Sequence, residues 1–168
     1  AVAGSGTLLL GFNFINNIPG DVTVTHLRAA GLSIFTGTLT TQAGGGTLGT
    51  SLVEGSISFH ATNPARWNLT DHDLVFDYAG GSPFSTIRSL LISGRNGGLW
   101  NGDGLTSSSA AGVIGPSTAL GIAEATDLFT TFPQTFSGQG VDATTLLIKY
   151  TLEGDANLSG SVNLDDFT

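Results

Sequence analysis

The chain has no cysteine and few charged residues, and each shortage excludes a class of function. Without cysteine it cannot form disulfide bonds, thiolate metal sites or cysteine nucleophiles. Its 5 basic residues face 13 acidic ones, and the resulting net charge of -8 would repel a phosphate backbone, so nucleic-acid binding is excluded. Charged residues make up only 11% of the 168 residues, so Ser, Thr, Asn and Gly must cover most of the surface. This composition is typical of a β-rich extracellular protein.

Short runs rich in Val, Ile, Phe, Thr and Leu alternate with Gly, Asn and Asp, which predicts many strands joined by tight turns. The predicted strands span residues 6–15, 21–26, 32–41, 51–60, 67–78, 119–126 and 144–152. Their spacing predicts a mainly β fold, either an antiparallel sandwich, a barrel or a short solenoid. Residues 1–153 are expected to form one β-rich domain, and residues 154–168 are expected to form a separate, truncated terminal loop.

One short helix is predicted over residues 83–93. Ser82 can cap its start, and Pro83 suits the first helical position because proline there loses no backbone hydrogen bond. Ile87, Leu90 and Leu91 recur at helical spacing and supply an apolar face. Gly94 is expected to end the helix, because glycine commonly follows the last helical residue.

The end of the chain carries a pattern that predicts a calcium site. Four of the acidic residues lie within the last sixteen positions, and residues 155–166 match the EF-hand loop, with oxygen donors at positions 1, 3, 5, 9 and 12 and Gly160 at position 6. Calcium binds six to eight hard oxygens, which a loop of this spacing can supply. The alternative is an acidic turn that is merely solvated. The predicted ligands are Asp155, Asn157, Ser159, the carbonyl of Ser161, Asn163 through a water molecule, and Asp166.

These same residues carry a family resemblance. Gly154-Asp155-Ala156-Asn157, Gly160, Val162-Asn163 and Asp166-Phe167 together resemble the first half of a type I dockerin repeat. The resemblance implies calcium as the cofactor and aspartate as the usual residue at position 12. Dockerins carry two such loops and use the helices after them to bind a cohesin. Residues 154–168 contain one loop and stop before such a helix, so we do not expect them to dock a cohesin alone.

A second resemblance covers roughly the second half of the chain. It rests on segments 74–78, 85–87, 96–102 and 149–151. These are similar to a region found just before dockerin-like repeats in large secreted proteins of planctomycetes and related bacteria. The resemblance implies secretion and no catalytic residue. Residues 1–65 resemble no family in this way.

Two other groups of residues have ordinary explanations beside functional ones. Asp71-His72-Asp73 would suit a metal or acid/base cluster, but a hairpin turn between two strands explains the same residues. Asp77 with Asp103 or Glu124 would suit a glycosidase, which needs two facing carboxylates, but any chain with 13 acids offers such pairs. We therefore predict no catalytic residue and no enzyme.

The sequence as a whole predicts a non-enzymatic structural or interaction domain of a secreted or cell-surface protein. Its expected partner is another protein or a further copy of itself. One alternative is a self-assembling subunit of an extracellular fibre or surface layer. Another is a carbohydrate-binding module, in which Trp67, Tyr78 and Trp100 stack on sugar rings, although burial in the core is more common for such residues. The apolar stretch 8–15 is broken by Gly11 and Asn13, so we expect no membrane insertion.

Overall fold

The computed structural model describes residues 2–10, 12–13, 18–44, 49–111 and 117–167. It is mainly β, with one long helix and several sheets, which confirms the predicted class. The strands are β1 (Val2–Leu10), β2 (Phe12–Asn13), β3 (Ile18–Pro19), β4 (Val22–Val24), β5 (Leu27–Ile34), β6 (Gly37–Thr41), β7 (Ser51–Phe59), β8 (Ala65–Asn68), β9 (Leu74–Asp77), β10 (Gly104–Thr106), β11 (Thr118–Glu124), β12 (Gln134–Phe136), β13 (Gln139–Val141) and β14 (Thr145–Leu152). The helices are α1 (Phe84–Arg95) and the single turn α2 (Ala125–Leu128).

Most strands belong to two sheets. The larger sheet has the order β1-β5-β7-β9-β14-β11, and its first four strands are parallel to one another. The smaller sheet has the order β10-β8-β6-β4 and is parallel throughout. Along the chain β4, β6 and β8 enter the smaller sheet while β5, β7 and β9 enter the larger one. From β4 to β9 the chain therefore alternates between the two sheets.

An antiparallel sandwich does not describe this arrangement. In the ranges that the structure describes, antiparallel pairs occur where β14 meets β9 and β11, and in the two-stranded ribbons β2-β3 and β12-β13. The alternation of apolar and polar residues has a period of two in both parallel and antiparallel strands, so the sequence pattern could not indicate strand direction.

Two of the predicted strands are each divided between the sheets. The run 32–41 breaks at Phe35 and Thr36, so that β5 ends in the larger sheet and β6 begins in the smaller one. The run 67–78 breaks at residues 69–73, between β8 and β9. Since β8 and β9 lie in different sheets, the hairpin expected at residues 71–73 is wrong, and these residues form a corner between sheets. Residues 11, 14 and 15 of the predicted strand 6–15 lie outside the described ranges.

The main core is made by apolar side chains of both sheets and of α1. Its largest fully buried members are Leu27, Leu32, Ile34, Leu39, Trp67, Leu69, Leu74, Ile87, Leu105, Leu146 and Ile148. Each such side chain contributes about 1.5–3 kcal/mol when it leaves water. A second, smaller cluster contains Val75, Leu147 and Leu158. Because Val75 and Leu147 alternate with main-core residues along their strands, the larger sheet is covered on both faces.

Helix α1 confirms the predicted helix but ends later than expected. It runs two residues beyond 93, with Gly94 inside it, and Asn96 closes it at φ 42° in the left-handed region. Ile87 and Leu91 are buried as predicted. Gly94 is buried against β10, where its lack of a side chain lets the helix approach the Leu105 carbonyl closely. The helix thus lies against β10 and beside β11. Among the described residues no helix is both long and apolar enough to cross a membrane.

Candidate metal centre

The predicted calcium loop begins at a sharp turn after the last strand. β14 ends at Leu152, and the amide of Asp155 donates to the Leu152 carbonyl oxygen at 3.1 Å. Gly154 has a φ of 99°, a conformation that glycine adopts without steric cost. The turn places the loop at the end of a strand that is paired on both sides.

Leu158 anchors the loop to the larger sheet. Its side chain is 4% exposed and packs in the cluster with Val75 and Leu147, while Lys149 Nζ donates to its carbonyl oxygen at 2.8 Å. Leu158 has a φ of 55°, which costs a non-glycine residue about 1–2 kcal/mol. Burial of a leucine contributes about 1.5–3 kcal/mol, so the anchor offsets this strain.

The carboxylate of Asp155 organises the first half of the loop. Its Oδ1 accepts a hydrogen bond from the Ser159 amide at 2.8 Å, and its Oδ2 accepts one from the Gly160 amide at 2.7 Å. The Thr151 hydroxyl also donates to Oδ2. Gly160 has a φ of 92°, as expected of the glycine at position 6. Only 5% of Asp155 is exposed, so its charge is held inside the turn.

The carboxylate of Asp166 joins the two ends of the loop. Its Oδ1 accepts from the Asn157 amide at 3.2 Å, and its Oδ2 accepts from the Asn163 amide at 2.8 Å. These bonds, that of Asn163 above all, hold the pKa of Asp166 below its usual value, so the group stays ionised at neutral pH. A 3₁₀ turn over Leu164–Phe167 brings the carboxylate back toward the loop.

The remaining predicted ligands lie between these two carboxylates. The Ser159 amide lies 2.8 Å from Asp155 Oδ1 and 3.0 Å from Asn157 Oδ1, so these two oxygens share one donor. The Ser159 hydroxyl donates to the Ser161 carbonyl oxygen at 3.2 Å. Asn163 differs, because its Oδ1 accepts from the Asp165 amide at 2.7 Å in a local turn. The structure therefore gathers Asp155, Asn157, Ser159 and Ser161, and joins Asp166 to them through backbone amides.

The donor set fits calcium rather than a softer metal. All the predicted ligands are carboxylate, amide, hydroxyl or carbonyl oxygens, the hard donors that calcium prefers. In the part of the chain that the structure describes, no three His, Cys, Asp or Glu side chains come together as one metal site. Only two of the predicted ligands are carboxylates, so neutral oxygens and water would have to complete the coordination sphere of the calcium ion.

The Asp71-His72-Asp73 group does not form a cluster. The single N–H of the Gly44 amide donates a bifurcated hydrogen bond to both carboxylate oxygens of Asp71, at 2.9 and 3.1 Å. Asp73 accepts from the amide of Tyr150 at 3.1 Å, and burial raises its pKa above the usual value. His72 is completely buried, and neither ring nitrogen has a hydrogen-bond partner. The three residues instead lie in the corner where the chain passes from β8 in the smaller sheet to β9 in the larger sheet.

The acidic pairs considered for a glycosidase have other partners. Asp103 forms an ion pair with Arg66 at 3.1 Å. Glu124 accepts a hydrogen bond from the Tyr78 hydroxyl at 2.9 Å. Asp77 has a raised pKa because of burial and then of two neighbouring carboxylates, Asp142 and Glu54. Each acid therefore belongs to a different set of contacts.

The three aromatic residues considered for sugar stacking, Trp67, Tyr78 and Trp100, belong to the main core. Trp67 is fully buried and donates from Nε1 to the Thr41 hydroxyl at 2.9 Å, while Trp100 and Tyr78 are 5% and 8% exposed. These rings provide no exposed stacking surface, so the observation that suggested a carbohydrate-binding module no longer supports it.

A groove between α1 and β11 is a feature that no sequence pattern indicated. The groove has a volume of about 310 Å³ and is bordered by Leu91 and Ile92 of the helix and by Leu120 and Ile122 of the strand. The two elements are more than twenty residues apart, and neither has a distinctive motif. Only their packing brings these residues together.

Comparison of the chain with protein-family models, with curated proteins and with solved structures finds no match. Its function must therefore be argued from its own residues.

Proposed function

We propose that this chain is a non-enzymatic structural or interaction domain of a secreted or cell-surface protein, stabilised by calcium in its C-terminal loop. The strict alternation of β4 to β9 between the smaller sheet and the parallel part of the larger sheet supports the short-solenoid interpretation of the body. The observation that carries the calcium proposal is the pair of carboxylates: Asp155 binds the amides of the first half of the loop, and Asp166 binds amides at both of its ends.

Calcium would be held by the oxygens already directed along this loop. These are the side chains of Asp155, Asn157, Ser159 and Asp166, the Ser161 carbonyl, and Asn163 through water. A bound calcium ion neutralises clustered carboxylates and orders the loop. With only two charged ligands we expect a dissociation constant of about 10⁻⁴–10⁻³ M, the range of extracellular calcium modules.

A thermal unfolding titration tests the proposal. A ligand that binds only the folded state stabilises it according to its concentration, so about 10 mM calcium should add about 1.4–2.7 kcal/mol. For a chain of this size that corresponds to a rise in Tm of about 3–10 °C. Magnesium at equal concentration should raise the Tm much less, because it requires a tighter octahedral site.

Two neighbouring aspartates provide a matched pair of variants. Asp166→Asn removes the charge of a predicted ligand and should reduce the calcium-induced rise in Tm by at least half. Asp165→Asn makes the same charge change at an exposed residue outside the predicted ligand set and should leave the rise nearly intact. Equal melting in calcium, magnesium and chelator, or equal loss in both variants, would remove calcium from the proposal.

A further inference from the structure

The groove between α1 and β11 combines an apolar floor with an unpaired strand edge. Leu91, Trp100 and Leu120 are buried beneath it, whereas Ile92 remains 56% exposed on the helix. Its volume of about 310 Å³ is at the lower end of the range for ligand pockets. The groove is partly open to solvent, and a chain segment suits such a shape better than an enclosed small molecule does.

β11 is an edge strand of the larger sheet, and its outer backbone groups have no partner among the described residues. The Glu153 amide donates to the Ser117 carbonyl oxygen at 2.9 Å, which fixes the phase of the antiparallel ladder. Since hydrogen-bonded and non-hydrogen-bonded pairs alternate, residues 119, 121 and 123 face β14. The amides and carbonyls of Leu120 and Ile122 therefore face away from β14, at the open edge of the sheet.

The groove also contains a basic side chain that lacks a partner. The other basic residues are engaged: Arg28 with Gln139, Arg66 with Asp103, Arg95 with Glu153, and Lys149 with the Leu158 carbonyl. Arg88 borders the groove, is exposed, and has neither an ion pair nor a side-chain hydrogen bond within the described ranges. Two carboxylates also border the groove, but Glu153 is paired with Arg95 and Asp155 is only 5% exposed. In a chain with a net charge of -8, the remaining unpaired guanidinium beside an apolar floor therefore favours an anionic ligand.

We propose that this groove binds an extended segment of a partner protein, which adds a strand to β11 and directs an acidic side chain at Arg88. Backbone hydrogen bonds to residues 120 and 122 would supply part of the affinity, and the apolar floor would accept alternate side chains. Side chains of a strand alternate in direction, so the segment needs apolar residues two positions from its acid. The inference deepens the proposed interaction role of the domain and rests on it, but it does not require calcium.

A second copy of this chain fits the groove less well than a different protein. Two copies, each with a net charge of -8, repel one another. If β11 paired with β11 of another copy, the acid available would be Glu124, which already accepts a hydrogen bond from Tyr78. The charge of Arg88 would then remain uncompensated.

Fluorescence anisotropy with synthetic peptides tests the proposal. The probe is a labelled peptide in which threonine alternates with valine, with glutamate at one valine position; a second peptide carries lysine there. We expect the glutamate peptide to bind and the lysine peptide to bind at least about tenfold more weakly, because a hydrogen bond between charged groups contributes about 1.5–3 kcal/mol. Arg88→Ala should bind the glutamate peptide at least about tenfold more weakly than the parent protein does, and its affinity for the lysine peptide should not fall. Ser89→Ala, at the next exposed helical position, should not.

Backbone methylation of the peptide tests strand addition without altering the protein. Methylating alternate amides in one register should abolish binding, and methylating the other register should change affinity less than about threefold, since only one register faces β11. No binding at about 1 mM, equal binding of the two peptides, or equal effects of the two registers would overturn the proposal. A concentration-dependent dimer that Arg88→Ala leaves unchanged, and that blocks the peptide, would make a second copy the occupant and would also overturn it.

The peptide measurements are repeated in chelator. Binding that persists there supports the groove whatever the calcium titration gives. A calcium-dependent Tm without peptide binding would refute the groove alone.

Discussion

Replacing Gly94 by alanine should destabilise the protein, although alanine favours helices. A Cβ at this position would lie 2.5 Å from the Leu105 carbonyl carbon, nearer still to its oxygen, and 3.2 Å from the Thr106 nitrogen. Non-bonded carbon atoms prefer about 3.5–4.0 Å, and the oxygen is nearer still, so the helix and β10 would have to separate by more than about 1 Å. Overpacking of this kind costs about 1–3 kcal/mol. The upper end applies because the Cβ would meet backbone atoms of β10, which cannot rotate away as a side chain can.

Helix propensity acts in the opposite direction. Alanine is favoured over glycine by about 1 kcal/mol inside a helix, so the net loss in the free energy of unfolding should be about 2 kcal/mol. That loss corresponds to a fall in Tm of about 4–8 °C for a domain of this size. Urea unfolding followed by circular dichroism and by tryptophan fluorescence measures both quantities.

Gly81→Ala makes the same chemical change where a Cβ would meet no atom within 4 Å. Its stability should stay within about 0.5 kcal/mol of the parent protein. If Gly94→Ala proves as stable as the parent, or more stable, helix α1 does not approach the Leu105 carbonyl closely enough to exclude a Cβ.

Two other predictions concern the corner between β8 and β9. His72→Leu should raise the free energy of unfolding by about 1 kcal/mol, because burial deprives both ring nitrogens of water without providing a partner; a loss above about 1 kcal/mol in urea unfolding would contradict this. Asp73 has a raised pKa because of burial, so its ionised form opposes folding above that pKa and the cost disappears as the pH falls through it. The stability of Asp73→Asn relative to the parent should therefore be greatest at pH 7 and decrease toward pH 4, and a constant difference between urea curves across this range would refute the argument.

The division of two predicted strands between the sheets could not be predicted from the sequence. Phe35 and Thr36 form the corner between β5 and β6, and Gly37, with a φ of 90°, follows directly as the first residue of β6. The apolar pattern on either side continues across the corner, so residues 32–41 resemble one strand. Direction and sheet membership depend on hydrogen bonds to distant strands, and no local pattern reports them.

The end of helix α1 has a similar explanation. Glycine commonly follows a helix, so Gly94 was expected to terminate it. In the structure Asn96 takes the left-handed position, and Gly94 serves the close contact with β10. Both uses of glycine depend on the missing side chain, and only the neighbouring strand distinguishes them.

The sequence by itself determined the β-rich class, the position of the main helix and the spacing of oxygen donors along residues 155–166. These features depend on local periodicity and on residues close together in the chain. The tertiary structure decided the parallel alternation between sheets, the burial of the large aromatic side chains and the groove between α1 and β11. Each of these depends on contacts between residues far apart in the chain, whose energies arise only when the elements pack together.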